Sequence, residues 1–202
     1  MTTSLLDLPE NRPAAEQRLQ LEGITWQQYD ALVTLFINQF PALRMTYMEG
    51  VLELMTTSPE HERLKIIIAR LLEAFAEERD IDLNGYGSAT FRQEAAARGL
   101  EPDECYSIGA LGEVPDIAIE IVLTSDGIDK LAVYQGLGVQ EVWFWENQRF
   151  QLYGLIDAEA GYEQLSSSRL LSQLDVSVLA QFIDRPSQTQ AVKAYRKFLQ
   201  GK

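Results

Sequence analysis

Residues 115–123, with the sequence PDIAIEIVL, constrain the fold of this chain more strongly than any other segment. Their β-branched residues lie between a proline and the turn-forming residues TSDG, which is typical of a buried strand. Because side chains alternate along a strand, Asp116 and Glu120 are predicted to share one face and three isoleucines the other. A glutamate in an apolar strand costs free energy unless a cation or a donor compensates it. We therefore expect Glu120 either to bind a cation or to pair with an arginine.

Strand and helix patterns alternate over the rest of the chain. Thr25 and Gln28 form a capping-box pattern, which predicts a helix over about residues 26–39. Ser58 followed by Pro59 is typical of a helix start, and apolar spacing extends this helix to about residue 79. Further helices are predicted over about residues 126–137, 176–183 and 188–199, and strands in LRMTYM, VLELMT, IDLNG, SATFRQ, ECYSI, QEVWFWEN, RFQLYGL and GYEQLSS. This order predicts an α/β (α+β) fold, with a central mixed β-sheet flanked by helices.

A length of 202 residues fits one domain with small additions. We predict an N-terminal arm over residues 1–23, loosely ordered because it is polar and contains prolines. The main domain is predicted over residues 24–165, and a C-terminal helical extension packed on the same domain over residues 166–202. No apolar run is long enough to cross a bilayer, and no secretory signal pattern is present. With a single cysteine, these features lead us to expect a cytoplasmic protein that does not associate with membranes.

The formal net charge of −13 argues against tight binding to a polyanion. The acidity is concentrated in residues 101–130, which contain eight acidic residues and one base, Lys130. Residues 189–202 contain four bases and no acid. A bound metal ion would relieve the repulsion in the acidic stretch, although it would account for only two or three of the acids.

Carboxylates are the strongest chemical candidates in this sequence. The common nucleophile and nucleotide-binding motifs are absent, and one histidine with one cysteine cannot form a Cys/His zinc site. Asp103, Asp116 and Glu120 all lie in the acidic stretch, and hard cations such as Mg²⁺ prefer carboxylate oxygens. Lys130, on the helix after the strand, could direct its ammonium at these carboxylates. Alternatively, it could form a salt bridge with Asp126 or a surface neighbour.

The runs GLEPDECY, PDIAIEIVLTS and DKLAVYQGLGVQEVW, with SPEHER upstream, resemble the Uma2 (Uma-two) family. Its members are bacterial restriction endonuclease-like proteins of the PD-(D/E)XK nuclease superfamily, and the resemblance covers about residues 24–155. It implies a restriction endonuclease-like core in which Asp103 and Glu120 bind Mg²⁺ or Mn²⁺. Val122 stands where the superfamily has its lysine, and the family pattern implies that Lys130 replaces it. Asp116 also belongs to the pattern.

The resemblance further implies that His61 or Glu62 approaches the site as a supporting residue. The implied activity is metal-dependent hydrolysis of DNA phosphodiester bonds, in which Lys130 positions the attacking water. One alternative is a nuclease-fold protein that binds nucleic acid or a protein partner without cutting, and another is a purely structural or interaction protein.

Any DNA binding is expected to be weak, because few bases are available for phosphate contacts. The candidates are Arg63, Lys65, Arg70 and the C-terminal bases. A homodimer is also considered, since the strand QEVWFWEN contains two tryptophans that the sequence alone does not place.

Overall fold

A computed structural model describes residues 16–36, 39–40, 42–124 and 127–201. The predicted strands and helices occur there in the predicted order, and strands at Gln17–Glu22 and Arg98–Leu100 are additional to the prediction. The strands are β1 (Gln17–Glu22), β2 (Leu43–Met48), β3 (Val51–Thr56), β4 (Leu83–Gly85), β5 (Phe91–Gln93), β6 (Arg98–Leu100), β7 (Glu104–Ile108), β8 (Ile117–Val122), β9 (Glu141–Glu146), β10 (Arg149–Asp157) and β11 (Gly161–Leu165). The α-helices are α1 (Trp26–Phe36), α2 (Pro59–Glu78), α3 (Lys130–Leu137), α4 (Val176–Ala180) and α5 (Gln188–Gln200).

The strands form two sheets. One has six strands in the order β11-β10-β9-β8-β7-β4, and the other has five in the order β1-β3-β2-β6-β5. The six-stranded sheet is mixed, because β8 and β9 are parallel while its other described pairs are antiparallel. A parallel pair needs a crossover connection, and α3 provides it. The predicted fold class is therefore confirmed, and it is consistent with a restriction endonuclease-like core.

Strand β8 lies inside the mixed sheet and separates two cores. Ile117, Ile119 and Ile121 pack into the core that contains the apolar face of α2 and residues of α5. Ala118 packs on the opposite side, in the core that contains residues of α3. The predicted alternation along this strand is confirmed, so Glu120 faces α3.

The predicted signals at two helix starts are confirmed, and one hairpin has a defined turn. The main-chain N–H of Thr25 donates to the Gln28 side chain at 2.8 Å, and the N–H of Gln28 donates to the Thr25 hydroxyl at 3.3 Å. Ser58 caps α2 by accepting from the N–H of His61 at 3.1 Å. The hairpin between β2 and β3 turns at two residues with positive φ, Glu49 and Gly50.

The predicted loosely ordered arm is wrong for the residues that form β1. This strand pairs with β3 over six consecutive residues, from Gln17 opposite Thr56 to Glu22 opposite Val51. Leu19 and Leu21 alternate with polar residues in this strand, a short signal that the polar, proline-containing surroundings obscured. Residues 1–15 lie outside the described part of the chain. The division into arm, domain and extension remains a prediction.

Two helix boundaries also differ from the prediction. Helix α3 begins at Lys130 and not at residue 126, because Asp129 caps it and accepts from the N–H groups of Leu131 and Ala132 at 3.0 and 3.4 Å. Residues 125–126 lie outside the described part of the chain. Helix α4 ends at Ala180, three residues before its predicted end.

The two tryptophans of β9 are core residues. Trp143 is 1% exposed and Trp145 is 3% exposed. They offer no exposed surface to a partner, so the homodimer remains a prediction without support from these side chains. Across the described helices, none is both long and apolar enough to cross a membrane.

Candidate active site

Asp103 and Glu120 lie beside each other where β7 begins. Strands β7 and β8 pair with Glu104 opposite Ile119; Asp103 directly precedes β7, and Glu120 directly follows Ile119 on β8. Both residues are almost fully buried, at 1% and 0% exposure. Asp103 Oδ2 accepts a hydrogen bond from the main-chain N–H of Ile121 at 2.8 Å, which fixes its carboxylate against β8.

Lys130 and Tyr134 of α3 both contact Glu120. The Lys130 Nζ donates to Glu120 Oε2, and the Tyr134 hydroxyl donates to Glu120 Oε1. The two donors are four residues apart and therefore lie on one face of the helix. Lys130 is thus directed at the carboxylates from the helix, although Val122 occupies the position of the superfamily lysine. Its alternative partner, Asp126, lies outside the described residues.

His61 joins Asp103 to a second carboxylate that the sequence did not predict. Its Nε2 lies 2.8 Å from Asp103 Oδ1, and its Nδ1 lies 2.5 Å from Glu16 Oε1. Ionised carboxylates only accept hydrogen bonds, so both ring nitrogens donate and the ring is a buried imidazolium. The cluster therefore contains three carboxylates and two cations, with one net negative charge when all are ionised.

Charge pairing sets the protonation of the histidine end of the cluster. Burial alone would lower the pKa of His61, but hydrogen bonds to Asp103 and Glu16 and their charges raise it to about 9. Burial alone would raise the pKa of Asp103, but the hydrogen bond and charge of His61, aided by Lys130, lower it to about 2. At neutral pH this end of the cluster is an ion pair.

Burial dominates the other end of the cluster. It raises the pKa of Glu120, against the opposing charge of Lys130. Burial alone would lower the pKa of Lys130, but the charges of Glu120 and Asp103 raise it. Burial and the Glu120 charge raise the pKa of Tyr134 well above its usual range. Lys130 and Tyr134 therefore act as hydrogen-bond donors at neutral pH.

The donor set fits a hard divalent cation in kind. Mg²⁺ is usually held by one or two carboxylates and completes its shell with water, and Asp103 and Glu120 supply such a pair. All four carboxylate oxygens accept a protein hydrogen bond, but each oxygen has a second lone pair. In the described ranges no group of three histidine, cysteine or acidic side chains is suited to hold a metal ion. His61 and Lys130 relieve the repulsion that the sequence suggested a metal would relieve.

Two predicted supporting residues lie away from this cluster. Asp116 accepts from the N–H of Ile108 at 2.8 Å and from Gln140 Nε2 at 3.0 Å, at the other end of β8. Glu62 is 38% exposed and lies near Arg44 and Lys65, at 3.8 and 4.0 Å. Of the alternatives on α2, His61 approaches the carboxylates and Glu62 does not.

Three of the bases expected to contact DNA are paired with acids. Arg63 forms ion pairs with Glu60 and Asp184. Lys65 and Arg196 likewise lie beside carboxylates, those of Glu62 and Glu104 and those of Glu77 and Glu78. These pairs offset part of the positive charge on the α2 and α5 surfaces.

The family model of Uma2, described as "Putative restriction endonuclease", matches residues 26–185. The chain belongs to the Uma2 family. This membership agrees with the placement in the PD-(D/E)XK superfamily that the sequence suggested. The range that matches Uma2 contains His61, Asp103, Glu120 and Lys130, but Glu16 lies before it. No curated protein matches the chain.

Sequence reasoning missed Tyr134 and Glu16. The spacing of Tyr134 from Lys130 was a usable signal, because residues four apart share a helix face. Glu16 gave no local signal, since its contact with His61 joins residues 45 positions apart.

The imidazolium of His61 predicts a loss of stability at alkaline pH in metal-free buffer. Its pKa is about 9 in the folded protein and about 6.5 in an unfolded chain. The stabilisation by the protonated ring is therefore complete below the pKa of the unfolded chain, and it is lost as the pH rises through the pKa of the folded protein. We expect the free energy of unfolding to fall by up to about 3 kcal/mol from pH 6.5 to 9. Urea denaturation with EDTA measures this, and a flat profile would contradict it.

Proposed function

We propose that this chain is a metal-dependent endonuclease that hydrolyses DNA phosphodiester bonds at the cluster of Asp103, Glu120 and Lys130. The observation that carries the proposal is the contact of the Lys130 ammonium with Glu120, beside Asp103, whose carboxylate is hydrogen-bonded to the main chain of the same strand. Two carboxylates with an adjacent lysine are the groups that the family pattern requires. Membership of the Uma2 family gives this arrangement a nuclease context.

The side chains divide the chemical work. Asp103 and Glu120 would hold Mg²⁺ or Mn²⁺, which when bound supplies a Lewis acid for the scissile phosphate and activates water. Lys130, whose pKa is raised, keeps its protons and donates to the attacking water or to a phosphoryl oxygen that gains charge. Tyr134 holds Glu120 in place, and His61 holds Asp103.

Substrate access is supported on the Lys130 side of the cluster. The Lys130 side chain is 14% exposed, whereas those of Asp103 and Glu120 are at most 2% exposed. The charge of Arg18 acts on Lys130 and tends to lower its pKa, and the Arg18 guanidinium lies 3.7 Å from carboxylate oxygens of Glu16 and Glu53. The charge of Lys130 on this side would offset part of the repulsion between a phosphate and the net negative chain.

One observation favours the alternative of a nuclease-fold protein that binds without cutting. Every oxygen of Asp103 and Glu120 already accepts a hydrogen bond from the protein, and two of the donors are cations. Such a network is electrostatically compensated without a metal ion. It would persist unchanged in a protein that had lost catalysis.

Plasmid nicking separates the two functions. Supercoiled and single-stranded DNA are incubated with Mg²⁺, Mn²⁺ or EDTA and with wild type, Asp103→Asn or Asp116→Asn. We expect wild type to nick only with metal. Asp103→Asn should lower the nicking rate by more than roughly 10–100-fold, the usual loss when a residue that only hydrogen-bonds to a metal ligand is replaced. The matched control is Asp116→Asn. Asp116 is four residues from Glu120, about 13 Å along the strand at ~3.3 Å per residue, so this variant should retain activity.

Nicking that survives in Asp103→Asn would contradict this active site. If no DNA is cut and calorimetry detects no Mn²⁺ binding to wild type, the non-catalytic alternative replaces the enzyme.

A further inference from the structure

Glu16 is a buried carboxylate that contacts two different parts of the molecule. Its side chain is 1% exposed. One oxygen accepts from His61 Nδ1 at 2.5 Å, and the other accepts from the Thr124 hydroxyl at 2.8 Å. It directly precedes β1, which holds the segment in the five-stranded sheet.

One of these contacts leads to Asp103, and the other leads to the segment between Glu120 and Lys130. Through His61, Glu16 reaches the Oδ1 atom of Asp103. Through Thr124, it reaches the segment that joins the strand of Glu120 to the helix of Lys130. Arg18, two residues further along, donates to the main-chain oxygen of Thr124 at 3.2 Å and reinforces this attachment.

We infer that Glu16 is a positioning residue of the proposed active site, which fixes the orientation of Asp103 through His61 and anchors the connection between Glu120 and Lys130 through Thr124. The inference rests on the proposed function. It extends the site to the residue before β1, outside residues 26–185, the range that matches the family. The positioned groups, Asp103, Glu120 and Lys130, lie before β7, on β8 and on α3, so one carboxylate acts on elements that are separate in sequence.

The main-chain pairing of β1 does not depend on the Glu16 side chain. The strand is held by six residue pairs with β3. Replacing Glu16 by alanine removes both acceptors, whereas glutamine restores one amide acceptor at the same length without the charge. The two variants therefore separate loss of the hydrogen bond from loss of the charge.

The single histidine of the chain allows a test that needs neither metal nor activity. In protein labelled with ¹⁵N-histidine, wild type at pH 7 should give two hydrogen-bonded ring N–H signals. In Glu16→Ala the Nδ1–H signal should be lost, and the Nε2–H signal should shift and exchange faster as the ring loosens against Asp103. Glu16→Gln should recover part of both signals. Glu22→Ala, an exposed acid at the far end of β1, should match wild type.

Binding of Mn²⁺ and DNA cleavage give the second readout. Glu16→Ala should weaken Mn²⁺ binding and lower kcat by about 10–100-fold with little change in KM, as expected for loss of a group that orients a ligand. Measurements well below the melting temperature exclude simple unfolding, because a merely structural role would leave these values unchanged in folded protein.

An unchanged Nε2–H signal in Glu16→Ala overturns the inference, because Glu16 then does not act on Asp103. If the Nε2–H signal changes in Glu16→Ala but the wild type cuts no DNA, Glu16 positions Asp103 and the proposed function is rejected. The two proposals therefore fail separately.

Discussion

Replacing Lys130 by methionine should lower DNA cleavage by about 10²–10³-fold, the usual loss for one donor that stabilises developing charge. Methionine keeps the length and apolar stem of lysine but removes the ammonium that contacts Glu120. The Lys130→Arg variant keeps the charge but replaces a compact ammonium by a planar group, so it should recover only part of the activity. Single-turnover rates at saturating metal measure the effect.

The control for this prediction is Arg149→Gln, which removes a positive charge from an exposed position on β10. It should cleave DNA at the wild-type rate. Equal losses in Arg149→Gln and Lys130→Met would mean that general attraction of DNA explains the effect. Full activity in Lys130→Met would remove the lysine from the mechanism.

Local patterns predicted only a part of the site on β8 and α3. Alternation along one strand was enough to place Glu120 opposite the isoleucine face, since the geometry of a strand leaves only two faces. The spacing of Lys130 left its partner open between these carboxylates and Asp126, and only the family resemblance implied a place at the site. The same helix spacing would have indicated Tyr134.

The choice between His61 and Glu62 could not be made from the sequence. Consecutive helix residues point about 100° apart, so His61 and Glu62 face different directions. The choice depends on how α2 is rotated against the sheet, which tertiary packing decides. His61 is fully buried and Glu62 is 38% exposed.

The contribution of β1 was beyond the reach of sequence patterns for a different reason. Leu19 and Leu21 alternate with polar residues, which is a short strand signal, but this signal does not show that β1 pairs with a strand about thirty residues further along. A contact such as that of Glu16 with His61 depends on this long-range pairing.

Acids of the stretch 101–130 are compensated by bases from other parts of the fold. Glu101 lies 3.9 Å from Arg44, and Glu104 lies 3.8 Å from Lys65. Bases from the flanking elements therefore compensate several of these acids one by one. What remains is the overall negative charge, which still opposes tight binding of DNA.

The pair formed by Glu120 and Lys130 should dominate the stability of the cluster. Removing one partner of a buried ion pair leaves an uncompensated charge, which typically costs about 3–5 kcal/mol. We expect Glu120→Gln and Lys130→Met each to lower the free energy of unfolding by about that amount. The double variant buries no uncompensated charge from this pair, so it should lose less than the two single losses combined, with a coupling of about 2–3 kcal/mol.

Urea denaturation at pH 7 with EDTA measures this cycle. A second cycle that combines Glu120→Gln with Arg149→Gln, whose side chain is exposed on β10, should be additive. If the Glu120 and Lys130 losses are also additive, the lysine is hydrated in solution and does not compensate Glu120. In that case the desolvation of Glu120 would need another cation, and a metal ion bound at the pair with Asp103 would become the strongest candidate.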